Sequence, residues 1–141
     1  MPNLIGTQLD QYRLDSLLGE GGMGAVYRAY DINLARTVAV KVMHSHLAQQ
    51  RQFQRRFMTE ARAAARLKHP SIVDIYHFGN QLGMLYMVIE YVQGLSLGAY
   101  IRRLHQSGQV IELRETLLML AQVADALGYA HRQGVVHREP R

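Results

Sequence analysis

The sequence contains no cysteine, so it can form neither disulfides nor thiolate–metal sites, and a reducing, cytoplasmic location is expected. It also lacks an apolar run of the ~20 residues that a membrane-spanning helix needs. Residues 117–130 come nearest, and Gln122 and Asp125 interrupt them. Residues 1–11 show no basic region followed by an apolar one, so no signal peptide is expected. The 7 histidines form no His-Glu-x-x-His pattern. Their one close pair, His44 with His46, is read as solvent-exposed on a loop, not as a metal site. A net charge of +5 permits weak attraction to anions. Its carriers are dispersed, however: Arg51, Arg55, Arg56, Arg62 and Arg66 on one helix, Arg102 and Arg103 elsewhere. No recognition-helix or zinc-finger pattern accompanies them, so a solvated basic face is expected and no nucleic-acid partner.

What remains is a chain of 141 residues, 48% hydrophobic and 19% charged, which suits one globular domain. Its most informative stretch is 17–43. Gly19, Gly21 and Gly24 stand in G-x-G-x-x-G spacing, a weak signal alone because it also opens dinucleotide-binding folds. There a helix follows the glycines. Here Ala25-Val26-Tyr27-Arg28-Ala29-Tyr30 is rich in strand formers and has no helix-capping signal. Val38, Val40 and Val42 then alternate with Ala39, Lys41 and Met43, again at strand period. The pattern predicts a glycine flap between two antiparallel strands and a third strand beside them. Glycines let backbone N–H groups approach a polyphosphate. Val26 and Ala39 would offer a small apolar surface to a flat base, and Lys41 shares the Ala39 face. The bland alternative is a glycine-rich hairpin with an incidental surface lysine. The lysine at this distance, on the matching strand face, makes it the minority reading.

Leu18-Gly19-Glu20-Gly21-Gly22-Met23-Gly24-Ala25-Val26-Tyr27 together with Val38-Ala39-Val40-Lys41 resembles the eukaryotic-type serine/threonine protein kinases, especially the bacterial ones. The resemblance runs from about residue 11 to the last residues. It implies an α+β fold: a small lobe with a five-stranded antiparallel sheet and one helix over 11–92, after a lead-in at 1–10. The hinge and the first helices of the large lobe would occupy 93–141. In that family the glycine loop covers the ATP phosphates, and the strand lysine pairs with phosphates and with a helix glutamate. The resemblance therefore assigns Leu18, Gly19, Glu20, Gly21, Gly22, Met23, Gly24, Val26, Ala39 and Lys41 to the nucleotide. Ile89 takes the gatekeeper position, the backbone of Glu90 and Val92 meets the adenine edge, and Ser96 lies near the ribose.

Residues 47–67 change to helical period. Phe53, Phe57, Glu60, Ala64 and Leu67 form an apolar seam with a carboxylate in it, and a carboxylate on that face needs a cation. By the resemblance Glu60 is the partner of Lys41. The alternative is that Glu60 sits at the seam's edge and reaches water. Further strands are expected at 72–78 and 84–90, with a turn at 79–83, and helices at 97–105 and 112–133. The family's His-Arg-Asp motif is met by His137-Arg138-Glu139, which puts a side chain one methylene longer in the position of the catalytic base. The family's metal-binding asparagine and Asp-Phe-Gly do not occur in the sequence. The expectations are thus ATP binding, Mg²⁺ by family but without its protein ligands, a protein substrate, and no useful turnover by this chain alone. A frame interruption near the catalytic loop is a plausible origin. Two alternatives are an interaction module that docks on a partner kinase, or self-associates, through the exposed helix 112–133, and a decayed fragment.

Overall fold

The computed structural model describes residues 3–136. The chain divides into two compact units, one of residues 1–68 with 73–91 and the other of 69–72 with 92–141.

The first unit is built on a sheet of β1 (Gln8–Leu9), β2 (Tyr12–Glu20), β3 (Gly24–Asp31), β4 (Arg36–Met43), β5 (Ile75–Gln81) and β6 (Met84–Glu90). Their order in space is β1-β2-β3-β4-β6-β5, and every neighbouring pair is antiparallel. The period-2 pattern of the sequence becomes two faces. Across one face run Ala25, Val42 and Tyr86, then Tyr27, Val40 and Val88, each set cross-strand partners. With Leu4, Leu9, Tyr12, Leu14, Ala29 and Val38 they form the first core. Burying each valine side chain contributes roughly 1.5–3 kcal/mol. The opposite face carries Val26, Lys41 and Met87 side by side, then Arg28, Ala39 and Ile89.

That second face receives the helices. α1 (Ser45–Ala48) and α2 (Arg51–Ala65) follow β4. Met43, Ala48, Phe57 and Leu85 are buried together, with Phe53, Met58, Phe78 and Met87 packed against them. Phe57 meets Phe78 edge-on at 6.0 Å between ring centroids.

Three expectations change. The described part of the lead-in, 3–10, is not a loose segment: Leu4 and Leu9 enter the first core, and β1 adds a sixth strand. The helix expected over 47–67 is broken at Gln49–Gln50 into α1 and α2. The expected turn at 79–83 shrinks to Leu82–Gly83, both with positive φ. Gly79 belongs to β5, where it lies under the Tyr86 ring: a Cβ there would stand 2.1 Å from Tyr86 Cζ. The glycine serves packing, not a turn.

In the second unit, α3 (Leu97–Gln106) and α4 (Leu113–Arg132) are joined by a Tyr100 Oη–H to Glu115 Oε1 bond of 3.0 Å. The raised Tyr100 pKa has that hydrogen bond as its first cause. Ser96 caps α3, its Oγ accepting the Ala99 N–H at 3.1 Å. The loop 69–72 lies on α4 through His69, whose Nε2 is 2.7 Å from Asp125 Oδ2 and whose ring meets Tyr129. Ala126 and Ala130 are buried, while Leu113, Leu117, Leu118, Leu120 and Val123 are exposed. Among the described residues no helix is long and apolar enough to cross a membrane.

Candidate nucleotide site

The glycine stretch is the hairpin between β2 and β3, as its composition predicts. Two irregularities in the β2–β3 pairing, at 14/16 and 17/19, bring Gly19 opposite Val26. Such bulges bend and twist a strand, and here they lie just before the hairpin tip. The tip is closed by the Gly21 N–H donating to the Gly24 carbonyl at 2.9 Å.

The four glycines divide sharply. Gly24 is required by the fold, since a Cβ there would stand 2.0 Å from the Val42 carbonyl oxygen. Gly19, Gly21 and Gly22 meet nothing within 4 Å at the Cβ position, and none has a positive φ. Among the described residues, neither contact nor backbone conformation calls for glycine at those three positions. The remaining use of a missing side chain is the close approach of something else.

The hairpin also aims its polar groups. Its Gly21 carbonyl is 2.9 Å from the His44 Nε2, and its Met23 carbonyl accepts the His44 backbone N–H at 2.9 Å. Among the described residues, the N–H groups of Gly22 and Met23 have no hydrogen-bond acceptor. Successive N–H groups without protein partners are the kind of donor that a bound anion can use.

Val26, Ala39, Lys41 and Ile89 share the face of the sheet described above, with Gly19 opposite Val26. Lys41 is half-buried, and Leu18, Glu20 and Met23 are exposed around the hairpin. The α2 packing patch lies on the Lys41 face, through Met43, Leu85 and Met87. Glu60 is on the exposed side of α2, beside the seam that Phe53, Phe57 and Ala61 form. The carboxylate within the seam, one of the two expectations, is therefore replaced by the other, a carboxylate at its edge. Ala61, one residue on, fills the packed position.

Glu90 ends β6. Its N–H donates to the Asp74 carbonyl at 2.8 Å, and its carboxylate accepts the Asp74 N–H at 3.1 Å. Val92 and Ser96 belong to the second unit, with Ser96 in its helix-capping role. Glu139, with His137 and Arg138, lies outside the described residues. His44 is the residue that sequence reasoning missed: its contact with the hairpin joins residues 23 apart, a separation that no local pattern signals. The described residues bring together no group of three or more His, Cys, Asp or Glu suited to a metal ion, so no residue here is assigned to Mg²⁺.

A twisted antiparallel sheet with a glycine lid, a strand lysine on the same face as a small apolar floor, and a helix packed on that face is the small lobe of a protein kinase. Residues 12–139 match the family model described as protein kinase domain, and the chain belongs to that family. Protein kinases of this kind use ATP and Mg²⁺ and act on proteins. The chain is 43% identical over 132 residues to the probable serine/threonine-protein kinase pknA2 of Bifidobacterium longum, covering 92% of this chain and 17% of that protein. It is 38% identical over 137 residues to the serine/threonine-protein kinase PrkC of Bacillus subtilis, covering 96% of this chain and 20% of that one. The crystal structure of a mutant form of the Mycobacterium tuberculosis PknI kinase domain superposes with a TM-score of 0.85 at 31% identity. That alignment covers 100% of this chain and 56% of the PknI chain. The chain thus spans about a fifth of the length of its curated relatives.

Proposed function

We propose that this chain is the ATP-binding part of a serine/threonine protein kinase and does not itself turn ATP over. The observation that carries the reading is the pair of unengaged N–H groups on a hairpin whose three open glycines serve no internal contact. A polyphosphate would meet Gly22 and Met23 N–H, with Leu18, Gly19, Glu20, Gly21 and Gly24 around it. Val26, Ala39 and Ile89 would line the base, and Lys41 would reach a phosphate. Because the Glu90 N–H is already engaged, the adenine edge would be met by the Glu90 carbonyl, and by the Val92 backbone. The Ser96 hydroxyl retains its donor for a ribose. Glu60, on a helix packed against the Lys41 face, would pair with Lys41 in the nucleotide complex. Bound ATP supplies the phosphoryl group. The chain's residues would hold and orient it, and at sequence position 139 a glutamate, one methylene longer, stands where the family's catalytic base is an aspartate.

Nucleotide-dependent thermal unfolding tests the reading. ATP at ~100 Kd should stabilise the chain by about 2.7 kcal/mol. No shift at millimolar ATP, with and without Mg²⁺, rejects it. A second reading is favoured by the exposed side chains of Leu117, Leu118, Leu120 and Val123 on α4: docking on a partner kinase or a second copy. A monodisperse dimer would support it, and a clean monomer would count against self-association.

A further inference from the structure

The lid is not a free hairpin. His44 follows β4, and three of its groups are engaged at once. Its backbone N–H donates to the Met23 carbonyl at 2.9 Å. Its ring Nε2 meets the Gly21 carbonyl at 2.9 Å. Its own carbonyl accepts the N–H groups of Leu47 and Ala48, at 3.1 and 3.0 Å, which starts α1. A carbonyl oxygen can only accept, so Nε2 must carry the proton. The ring is further held by stacking on His46, with centroids 5.6 Å apart and planes 15° from parallel. The Gly21 carbonyl belongs to the same trans peptide unit as the Gly22 N–H, so its bond to His44 turns that N–H the opposite way. Among the described residues the Gly22 and Met23 N–H groups have no protein acceptor.

We propose that His44 is a positioning residue for the lid: its Nε2–H holds the Gly21 carbonyl so that the adjacent amides are presented to a polyphosphate before it arrives. The inference rests on the nucleotide reading above and adds a determinant outside the glycine motif. Preorganised donors avoid the ordering cost of binding. The bond is solvent-accessible, so its contribution is modest, at the low end for a net hydrogen bond.

The test compares His44→Phe, which keeps a stacking ring but has no donor, with His44→Gln, whose amide can donate. In the nucleotide-free chain, amide hydrogen exchange at Gly21 and His44 should quicken in the Phe variant and return toward the parent in the Gln variant. The histidine nitrogen spectrum of the parent should report an Nε2–H ring at His44. With ligand, Phe should weaken ATP about fivefold while leaving adenosine binding unchanged, and Gln should recover part of the loss. Unchanged exchange in the Phe variant overturns the proposal whatever the nucleotide result. An equal loss for adenosine and ATP overturns it too, since the effect would then be a general one on the fold. A parent that binds no ATP defeats the nucleotide reading, and the exchange comparison still decides whether His44 holds the lid.

Discussion

Val26 on β3 and Lys41 on β4 stand directly opposite each other in the antiparallel register. Side chains so paired leave the sheet on the same side, with Cβ atoms about 4.5–5.5 Å apart. In the proposed nucleotide complex the floor for the base and the cation for a phosphate would therefore come from one cross-strand pair. The next pair along, Arg28 with Ala39, extends that face toward Ile89.

Lys41 and Glu60 should act as a couple in the nucleotide complex. Glu60→Ala should weaken ATP in the parent and have no further effect in a Lys41→Met background. The coupling should be about 0.5–3 kcal/mol, as for contacting residues. Isothermal titration of the four proteins measures it. Strictly additive losses would mean that the helix carboxylate never meets the lysine.

The glycines should separate stability from binding. Gly24→Ala forces a Cβ against the Val42 carbonyl and should destabilise the nucleotide-free chain by about 1–3 kcal/mol, the usual cost of overpacking. Gly22→Ala meets open space and should leave urea unfolding within about 0.5 kcal/mol of the parent. It should nevertheless reduce the ATP-dependent thermal shift. If both variants lost stability alike, the open space at Gly22 would not be real.

Alkaline stability should fall, and two tyrosines set where. Burial holds the Tyr86 hydroxyl well above its usual value of 10, aided by its bond to the Asp10 carboxylate, and burial raises Tyr12 as well. A raised folded-state pKa means that the unfolded chain loses its proton first. The stabilisation is complete below about pH 10 and is lost progressively as pH rises toward the folded value. Chemical denaturation between pH 8 and 11, taken as roughly the window around the tyrosine model value, should show this decline. Tyr86→Phe should flatten part of it. A variant with the parent's slope would place the cause elsewhere.

Much of the fold was legible because strands and glycines write their roles locally. Alternation at 38–43 marked a two-faced strand, and the structure builds one core from Val38, Val40 and Val42 and leaves Ala39 and Lys41 on the other face. What misled was also local. Gly79 reads as a turn because glycine usually marks one, and only the Tyr86 ring explains it. Residues 1–10 look featureless in sequence, yet Leu4 and Leu9 are core residues, with Leu9 paired to Tyr12 at the start of β2.

The family, the lid hairpin and the lysine strand were legible in motif order and in periods of two and 3.6 residues, whereas Glu60 as the partner of Lys41 was read from the resemblance alone. Which glycines the chain itself needs, that Ala61 and not Glu60 fills the α2 seam, and that His44 fastens the lid were decided by tertiary structure. Each depends on atoms brought together across a sheet or between elements, and sequence distance carries no measure of such approach.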